Sequence, residues 1–402
     1  MRAVVFTLGC KVNEAESASI MAALEQMGWE TDDKLCYADA YILNTCAVTG
    51  EAERKSRQLI TRARKFNERA GIFVCGCASE KDRESFLKRG VDFVTGARKK
   101  QEIVDAFAKF YGTQSALLPY PKQTKTRAFI KIQDGCNSFC SYCIIPYLRG
   151  REVSRPIEDI LREINSTPCS EIVLNGINIS SFEGGLERLI AALNGVDKRI
   201  RLGSLECSAI TDGLLTALKG LKDFAPQFHL SLQSGSNAVL KAMNRHYTRE
   251  EYLEKCAMIY KIFPDAAITT DIIAGFATET EEDFLQSLSI IEEAGFARIH
   301  AFAYSPREGT AAYKLKDIPS DVKNERMHRL LNAGKESEER YISKFLGTER
   351  EIIAEEFEDG YTCGYTDNYI RVYIKEKIET GKKLPVKLIK HFKDGVEATD
   401  ER

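Results

Sequence analysis

Residues 128–143 read Ala128-Phe129-Ile130-Lys131-Ile132-Gln133-Asp134-Gly135-Cys136-Asn137-Ser138-Phe139-Cys140-Ser141-Tyr142-Cys143. The first six form an apolar strand candidate, and three thiols then fall within the eight residues 136–143. Such a loop can wrap one metal cluster. A four-iron cluster has four iron corners, so three cysteines leave one iron free to chelate a small molecule. A zinc site or three buried thiols are the competing readings, but zinc sites usually pair their ligands and add a fourth Cys or His.

Outward from this loop, further strand candidates follow at Glu171–Leu174, Ile200–Leu202, Phe228–Leu232, Ile268–Ile273 and Arg298–Phe302, with helical segments between them. Six βα repeats in about 175 residues favour a partial, open (β/α)6 barrel over a closed eight-stranded one, with its active site at the carboxyl ends of the strands. Upstream, strands at Ala3–Leu8, Tyr41–Asn44, Ile72–Val74 and Asp92–Val94 alternate with helices at Glu14–Met27, Glu51–Arg69 and Glu80–Lys88. That alternation implies an α/β domain, a doubly wound parallel sheet covered on both faces. Residues 115–126 read as a linker. Downstream, Asp321–Phe345 is helical and charged, and short β runs follow at Arg350–Glu355, Tyr369–Ile374 and Leu384–Ile389, as in a small OB-like β-barrel. The expected domains are residues 1–114, 126–340 and 341–402.

Basic and acidic residues nearly cancel, 57 against 59, so nucleic-acid binding has to come from local patches. No signal peptide or membrane-length apolar run is visible, which implies a cytoplasmic protein. Among 12 cysteines in such a chain, metal ligands are expected sooner than disulfides.

Cys10, Cys46 and Cys77 each follow a strand candidate of the first domain. Ligands collect at the carboxyl edge of a parallel sheet, so three distant thiols can converge there on a second cluster. Core or loop thiols are the alternative, and Cys75 is a rival ligand, because strand alternation would put it on the same face as Cys77. Cys36, Cys169, Cys207, Cys256 and Cys363 read as small apolar fillers.

The Cys136, Cys140, Cys143 spacing, C-x3-C-x2-C, resembles the radical S-adenosylmethionine superfamily. The resemblance narrows through Phe6-Thr7-Leu8-Gly9-Cys10-Lys11-Val12-Asn13, Asn44-Thr45-Cys46-Ala47-Val48-Thr49 and Gly76-Cys77, which look like the N-terminal cluster motifs of the methylthiotransferases. It continues through His229-Leu230-Ser231-Leu232-Gln233-Ser234-Gly235-Ser236, Thr270-Asp271-Ile272-Ile273-Ala274-Gly275-Phe276 and Tyr304-Ser305-Pro306-Arg307-Glu308-Gly309-Thr310. The C-terminal β segment is similar to the TRAM domain of that family. Ala277-Thr278, Cys207 and Ser79-Glu80 depart from the family pattern, where Pro-Gly, proline and Ala-Gln are common.

The resemblance implies two 4Fe-4S clusters, one on Cys136, Cys140 and Cys143 that cleaves S-adenosylmethionine, and one on Cys10, Cys46 and Cys77 that delivers sulfur. The Leu-Gly-Cys-Lys-Val-Asn form is similar to the branch that methylthiolates C2 of N6-threonylcarbamoyladenosine 3′ of the anticodon in tRNA. Branches acting on N6-isopentenyladenosine or on a ribosomal protein aspartate are the nearest alternatives. A non-catalytic iron-sulfur RNA-binding or redox-sensing protein is the alternative of another class. A tRNA anticodon stem-loop, a reductant protein and a sulfur donor are the partners implied. Strand-end residues Asn175, Gly176, Ser204, Glu206, Gln233, Ser234 and Gly275 are candidates for the cofactor pocket. Arg54, Lys55, Arg57, Arg62, Arg64 and Lys65 on the helix after Cys46, with Tyr365, Asn368, Tyr369 and Arg371 near the C-terminus, are candidate RNA contacts.

Overall fold

The structure, a computed structural model, describes residues 1–120 and 126–400. Residues 121–125 of the expected linker lie outside the described residues. The chain forms two compact units. The first comprises the described residues up to 120 together with Gln133–Val153 and Arg307–Thr310, and the second holds the remainder.

In the first unit, β1 (Arg2–Thr7), β2 (Glu30–Asp32), β3 (Ala40–Thr45), β4 (Gly71–Gly76) and β5 (Phe93–Val94) make one parallel sheet in the order β2-β1-β3-β4-β5. The near-continuous apolar runs of β3 and β4 are fully buried, as a sheet covered on both faces requires. On one face, α1 (Lys11–Gln26) and α5 (Lys100–Tyr111) pack Ile20, Leu24, Ile103 and Phe107 against Val5, Ile42 and Phe73. On the other, α2 (Gly50–Phe66) brings Leu59, Ile60 and Ala63 against Tyr41, Leu43 and Ile72. Thr49 caps α2, its hydroxyl accepting from Ala52 N. The expected helix over 80–88 divides into α3 (Cys77–Lys81) and α4 (Arg83–Leu87), because Asp82 ends one and caps the next through Ser85 N.

The second unit carries the open barrel. Its strands are β6 (Arg127–Asp134), β7 (Val153–Ser154), β8 (Glu171–Gly176), β9 (Arg199–Leu202), β10 (Ser204–Leu205), β11 (Gln227–Leu230), β12 (Ala267–Ala274) and β13 (Arg298–Ala303). The last two residues of β6 and the first of β7 already belong to the first unit. Two four-stranded sheets result, β7-β6-β8-β9 and β10-β11-β12-β13, with parallel pairing from β8 to β9 and from β10 through β13. Gly203 separates β9 from β10, where a Cβ would stand 2.9 Å from Leu174 O. The six expected βα repeats are present, and α/β is the fold class. After the long helix Ser320–Ser343, β14 (Glu349–Glu358), β15 (Tyr361–Thr366), β16 (Arg371–Ile374), β17 (Lys383–Phe392) and β18 (Gly395–Thr399) close a barrel in the order β14-β15-β16-β18-β17.

Candidate active site

Three adjacent strands of the first sheet run into cysteines: β1 into Gly9-Cys10, β3 into Cys46, β4 directly into Cys77. The turns admit only glycine beside them. Gly9 has φ +124°, and a Cβ there would lie 3.1 Å from Cys46 Cβ and 2.8 Å from Asn13 Nδ2. Gly76 has φ +110°, with Thr45 O at 2.3 Å from a Cβ. The three thiols sense one another. Burial pushes Cys46 up to about 11, and Cys77 and Cys10 push the same way, against the Val48 N–H and Arg307. Burial also pushes Cys77 up, Cys10 adds to this, and the Arg149 guanidinium opposes it.

Cys75 stands apart from this group. It is fully buried in the apolar cluster with Ile20, Leu24 and Phe107, whereas Cys77 packs in the cluster on the opposite sheet face. Strand alternation would have put both on one face, but the positive φ of Gly76 ends β4 and Cys77 opens α3.

Side chains behind the strand ends hold the backbone of this edge. Asn13 Nδ2 donates to Leu8 O (2.8 Å) and Thr45 O (3.2 Å), and Asn44 Nδ2 donates to Asn13 O and Ser17 Oγ (both 3.0 Å). Ser56 Oγ accepts from Cys46 N at 3.3 Å. Arg307, 5 % exposed, donates from Nε to Val48 O (3.1 Å) and pairs with Glu53 (3.3 Å), while its Nη2 is buried without a hydrogen-bond partner.

The loop carrying Cys136, Cys140 and Cys143 belongs to the same unit. Cys136 N donates to Gly150 O (3.2 Å), Cys143 N to Cys140 O (2.9 Å), and Ser138 N to Cys136 Sγ (3.4 Å). Gly135, at φ +75°, would place a Cβ 2.2 Å from Arg151 O, and Phe139 adopts φ +46° to carry the loop round. Among the described residues no three His, Cys, Asp or Glu side chains converge on a single ion. Thiolates at different corners of a cubane bind different irons and have no need to.

Sequence reasoning missed Arg149. It ends the short helix Ile145–Arg149 and is 1 % exposed. Its Nη1 donates to Glu16 Oε1 and Asp134 Oδ1 (both 3.0 Å), and its Nη2 to Asn13 Oδ1 (2.8 Å) and Glu16 Oε2 (3.3 Å). Lys100 completes the buried network, with Nζ 3.4 Å from Glu16 Oε2 and 3.3 Å from Asn44 Oδ1.

Of the pocket candidates in the second unit, Asn175 at the end of β8 is buried with Nδ2 unpartnered. Gly176 ends β8 half-buried, and Ser204 is exposed. Glu206 pairs with Arg245 at 3.2 Å. Gln233, at φ +70°, continues the ladder by donating to Asp271 O (2.8 Å) and accepting from Ile273 N (2.9 Å). Ser234 is fully buried against Ser287 Oγ (3.3 Å). Gly275 has φ +70°, donates to Glu279 Oε2 (2.5 Å), and would put a Cβ 2.5 Å from Lys323 Cγ, so a neighbouring helix explains that glycine.

Four further polar side chains meet on the paired strands β11, β12 and β13. His229 Nε2 lies 3.2 Å from Asp271 Oδ2 and its Nδ1 lies 3.0 Å from Thr269 Oγ1, and the His300 ring is 5.6 Å away. The two histidines have a signal in the sequence, a single polar residue between apolar neighbours, as in Phe228-His229-Leu230 and Ile299-His300-Ala301.

The candidate RNA contacts fare unevenly. On α2, Arg54 and Lys55 pair with Glu51, Arg57 with Glu53, and Arg64 caps Ala70 O and Gly90 O. Arg62 and Lys65 are exposed and line an open depression of about 460 Å³ with Leu35 and Phe66. At 1.5 Å per residue, Arg62 lies about 18 Å along the helix from Gly50, so this patch sits away from the Cys46 end. Near the C-terminus the expectation needs correction. Asn368 is fully buried beneath Tyr341 and Asp265, and Arg371 pairs with Asp394 at 3.0 Å. Tyr365 and Tyr369 stack on each other at 5.1 Å under Arg127 and Arg201. Asn368 and the two tyrosines thereby join the small barrel to the open one, while the Arg371–Asp394 pair lies within the small barrel.

Residues 2–96 match the family described as Uncharacterized protein family UPF0004, and residues 130–291 match the Radical SAM superfamily. The chain is 36% identical to "Threonylcarbamoyladenosine tRNA methylthiotransferase MtaB" of Bacillus subtilis, over 97% of this chain and 94% of the relative. It is 39% identical to "tRNA-2-methylthio-N(6)-dimethylallyladenosine synthase" of Fervidobacterium nodosum, over 88% of each. Its fold is similar to the radical S-adenosylmethionine methyltransferase TsrM of Kitasatospora setae, with TM-score 0.56 at 12% identity over 76% of each chain. Aligned over nearly its whole length with these relatives, the chain belongs to the methylthiotransferase family of radical S-adenosylmethionine enzymes.

Proposed function

We propose that this chain adds a methylthio group to C2 of N6-threonylcarbamoyladenosine 3′ of the anticodon in tRNA, in the cytoplasm, with electrons and sulfur drawn from partner molecules. The observation that carries it is the meeting of Cys10, Cys46 and Cys77 at one sheet edge, within the unit that also holds the C-x3-C-x2-C loop.

The donor set fits the cofactors of this family, two 4Fe-4S clusters and S-adenosylmethionine. Each triad offers three thiols, and the unpartnered Arg307 Nη2 leaves a buried N–H free beside Cys46. When bound, these cofactors supply the reducing electron, a carbon-centred radical and the sulfur. The rest falls to the chain. Cys136, Cys140 and Cys143 would hold one cluster in a loop stiffened by Gly135 and Gly150 O. Cys10, Cys46 and Cys77 would hold the other, with Ser56 and Val48 N placed to fix Cys46. Asn175, Ser204, Glu206 and Gln233 would receive the polar parts of S-adenosylmethionine, and the His229–Asp271 pair would orient groups in the open barrel. Arg62, Lys65 and Phe66 supply cationic and aromatic surface for single-stranded RNA.

Relatives named for two different adenosines match this chain at similar identity, and the Leu8-Gly9-Cys10-Lys11-Val12-Asn13 motif, which resembles the threonylcarbamoyladenosine branch, is the ground for preferring that substrate. The 39% match favours N6-dimethylallyladenosine as a second reading. Expression in cells lacking their own methylthiotransferases, followed by mass spectrometry of digested tRNA, tests both. The methylthio form of N6-threonylcarbamoyladenosine, present with the intact chain and absent when Cys136, Cys140 and Cys143 are replaced, is the expected result. Accumulation of the dimethylallyl form alone would move the substrate, and neither form with active cofactor cleavage would remove tRNA adenosine from the proposal.

A further inference from the structure

Arg149 reaches the supports of both triads at once. Its partner Asp134 lies two residues before Cys136 and accepts from Gly135 N at 2.8 Å, while Gly150 O, the next carbonyl along, receives Cys136 N. On its other side, Asn13 carries the backbone just before Cys10 and Cys46, and the guanidinium itself faces the Cys77 thiol. All of these residues lie in the first unit.

We propose that Arg149 is a positioning residue that locks the two triads in register and raises the reduction potential of the cluster held by Cys10, Cys46 and Cys77. The proposal rests on reading both triads as cluster ligands. Two features of the network support it. The first is shape, since the two NH2 groups of one planar fork serve Glu16, Asp134 and Asn13 together, a task a lysine ammonium cannot repeat at the same angles. The second is charge. Arg149 and Lys100 both pair with Glu16, and Arg149 and Arg98 both pair with Asp134, so removing the guanidinium makes the surroundings of Cys77 more negative by one charge. Adding an electron to a cluster next to that charge becomes harder, because second-shell charge and hydrogen bonds set cluster potentials.

The test uses the full chain, reconstituted anaerobically as parent, Arg149→Met, Arg149→Lys and Arg149→Met/Glu16→Gln. Potentials of the first cluster are read by EPR-monitored titration in a background where Cys136, Cys140 and Cys143 are alanine. Coupling between clusters is read by pulsed EPR with all six cysteines present. Arg149→Met should lower the reduction equilibrium of the first cluster about tenfold, roughly 59 mV for one electron. Arg149→Met/Glu16→Gln, which restores the parent's net charge in the network, should recover most of that loss. Arg149→Lys should keep the potential and broaden the distribution of cluster–cluster coupling. If Arg149→Met fails to hold iron, the lysine variant decides. Parent-like potential in Arg149→Met at full iron content, or parent-like coupling in Arg149→Lys, overturns the proposal. Unchanged iron in Cys10→Ala or Cys46→Ala would instead overturn the ligand reading on which it rests.

Discussion

Replacing Glu171 by Gln should destabilise the second unit by about 3 kcal/mol at neutral pH. Glu171 is 1 % exposed and accepts from Arg201 Nε (3.0 Å) and Nη2 (3.1 Å), with Arg127 pairing from the other side. Burial alone would raise its carboxyl, but Arg201 and Arg127 overcome that and hold it near 2 against an ordinary 4.5. A shift of that size is worth about 3 kcal/mol of stability. Breaking a buried pair by removing one partner costs about 3–5 kcal/mol by a separate route, because Arg201 is left buried and uncompensated. The sign follows from a depressed carboxyl. The contribution is fully present above about pH 4.5 and is lost as pH falls through 2. Urea unfolding read by circular dichroism should show the variant's midpoint lower by about 1 M, for a slope of about 3 kcal/mol per molar. Fluorescence of Trp29, the sequence's one tryptophan, packed 4.7 Å from Phe107 in the first unit, provides the internal control. A loss below about 1 kcal/mol, or an unchanged gap between parent and variant from pH 6 to pH 2, would refute the reasoning.

Cys77→Ala should remove one cluster, about half the iron bound per chain, whereas Cys75→Ala should keep the iron and cost about 1 kcal/mol as an ordinary core truncation; iron assays after reconstitution separate the two, and iron loss on Cys75→Ala would reverse the assignment. Burial pushes Glu279 up to about 7 despite the Gly275 N–H and Arg326, so its contribution to stability falls as pH rises from about 4.5 through 7. The stability gap between parent and Glu279→Gln should therefore change between pH 5 and pH 8, and equal gaps at both would contradict it. Asp271→Asn should lower methylthiolation at least tenfold with little change in iron content, because His229 loses its charged partner at 3.2 Å; unaltered turnover would remove that pair from the site.

Strands with near-continuous apolar runs, such as Tyr41–Asn44 and Ile72–Val74, were legible because burial on both faces leaves no alternation to misread. Short or polar strands were not. Glu30–Asp32 has no apolar residue, and Tyr361–Thr366 is interrupted by Gly364, which lets the strand pass its neighbour where a Cβ would stand 2.4 Å from Ile353 O. Cys75 and Cys77 could not be ranked from spacing because one backbone angle, at Gly76, decides which face each takes. Arg149 was invisible for a different reason. A lone arginine reads as surface charge, and its partners Asn13 and Glu16 lie 136 and 133 residues away. Tyr365 and Tyr369 show the opposite error, since aromatic and basic residues interleaved for RNA and those interleaved to weld two barrels look alike in one dimension.

The first unit is stitched from three separate stretches of chain, and that fixes when it can be finished. At about 5–20 residues per second, Asn13 leaves the ribosome well before Arg149 is made, and Val48 waits for Arg307, 259 residues later, some 13–50 s. In the first part of that interval Cys10, Cys46 and Cys77 ride on a nascent chain that lacks both arginines, and in the rest on one that still lacks Arg307. Until each is made, Cys46 lacks Arg307 and Cys77 lacks Arg149, the guanidinium groups that in the folded unit oppose the effect of burial on these thiols. Read as cluster ligands, the three sulfurs would gain their full set of supports only after Arg307 has been made.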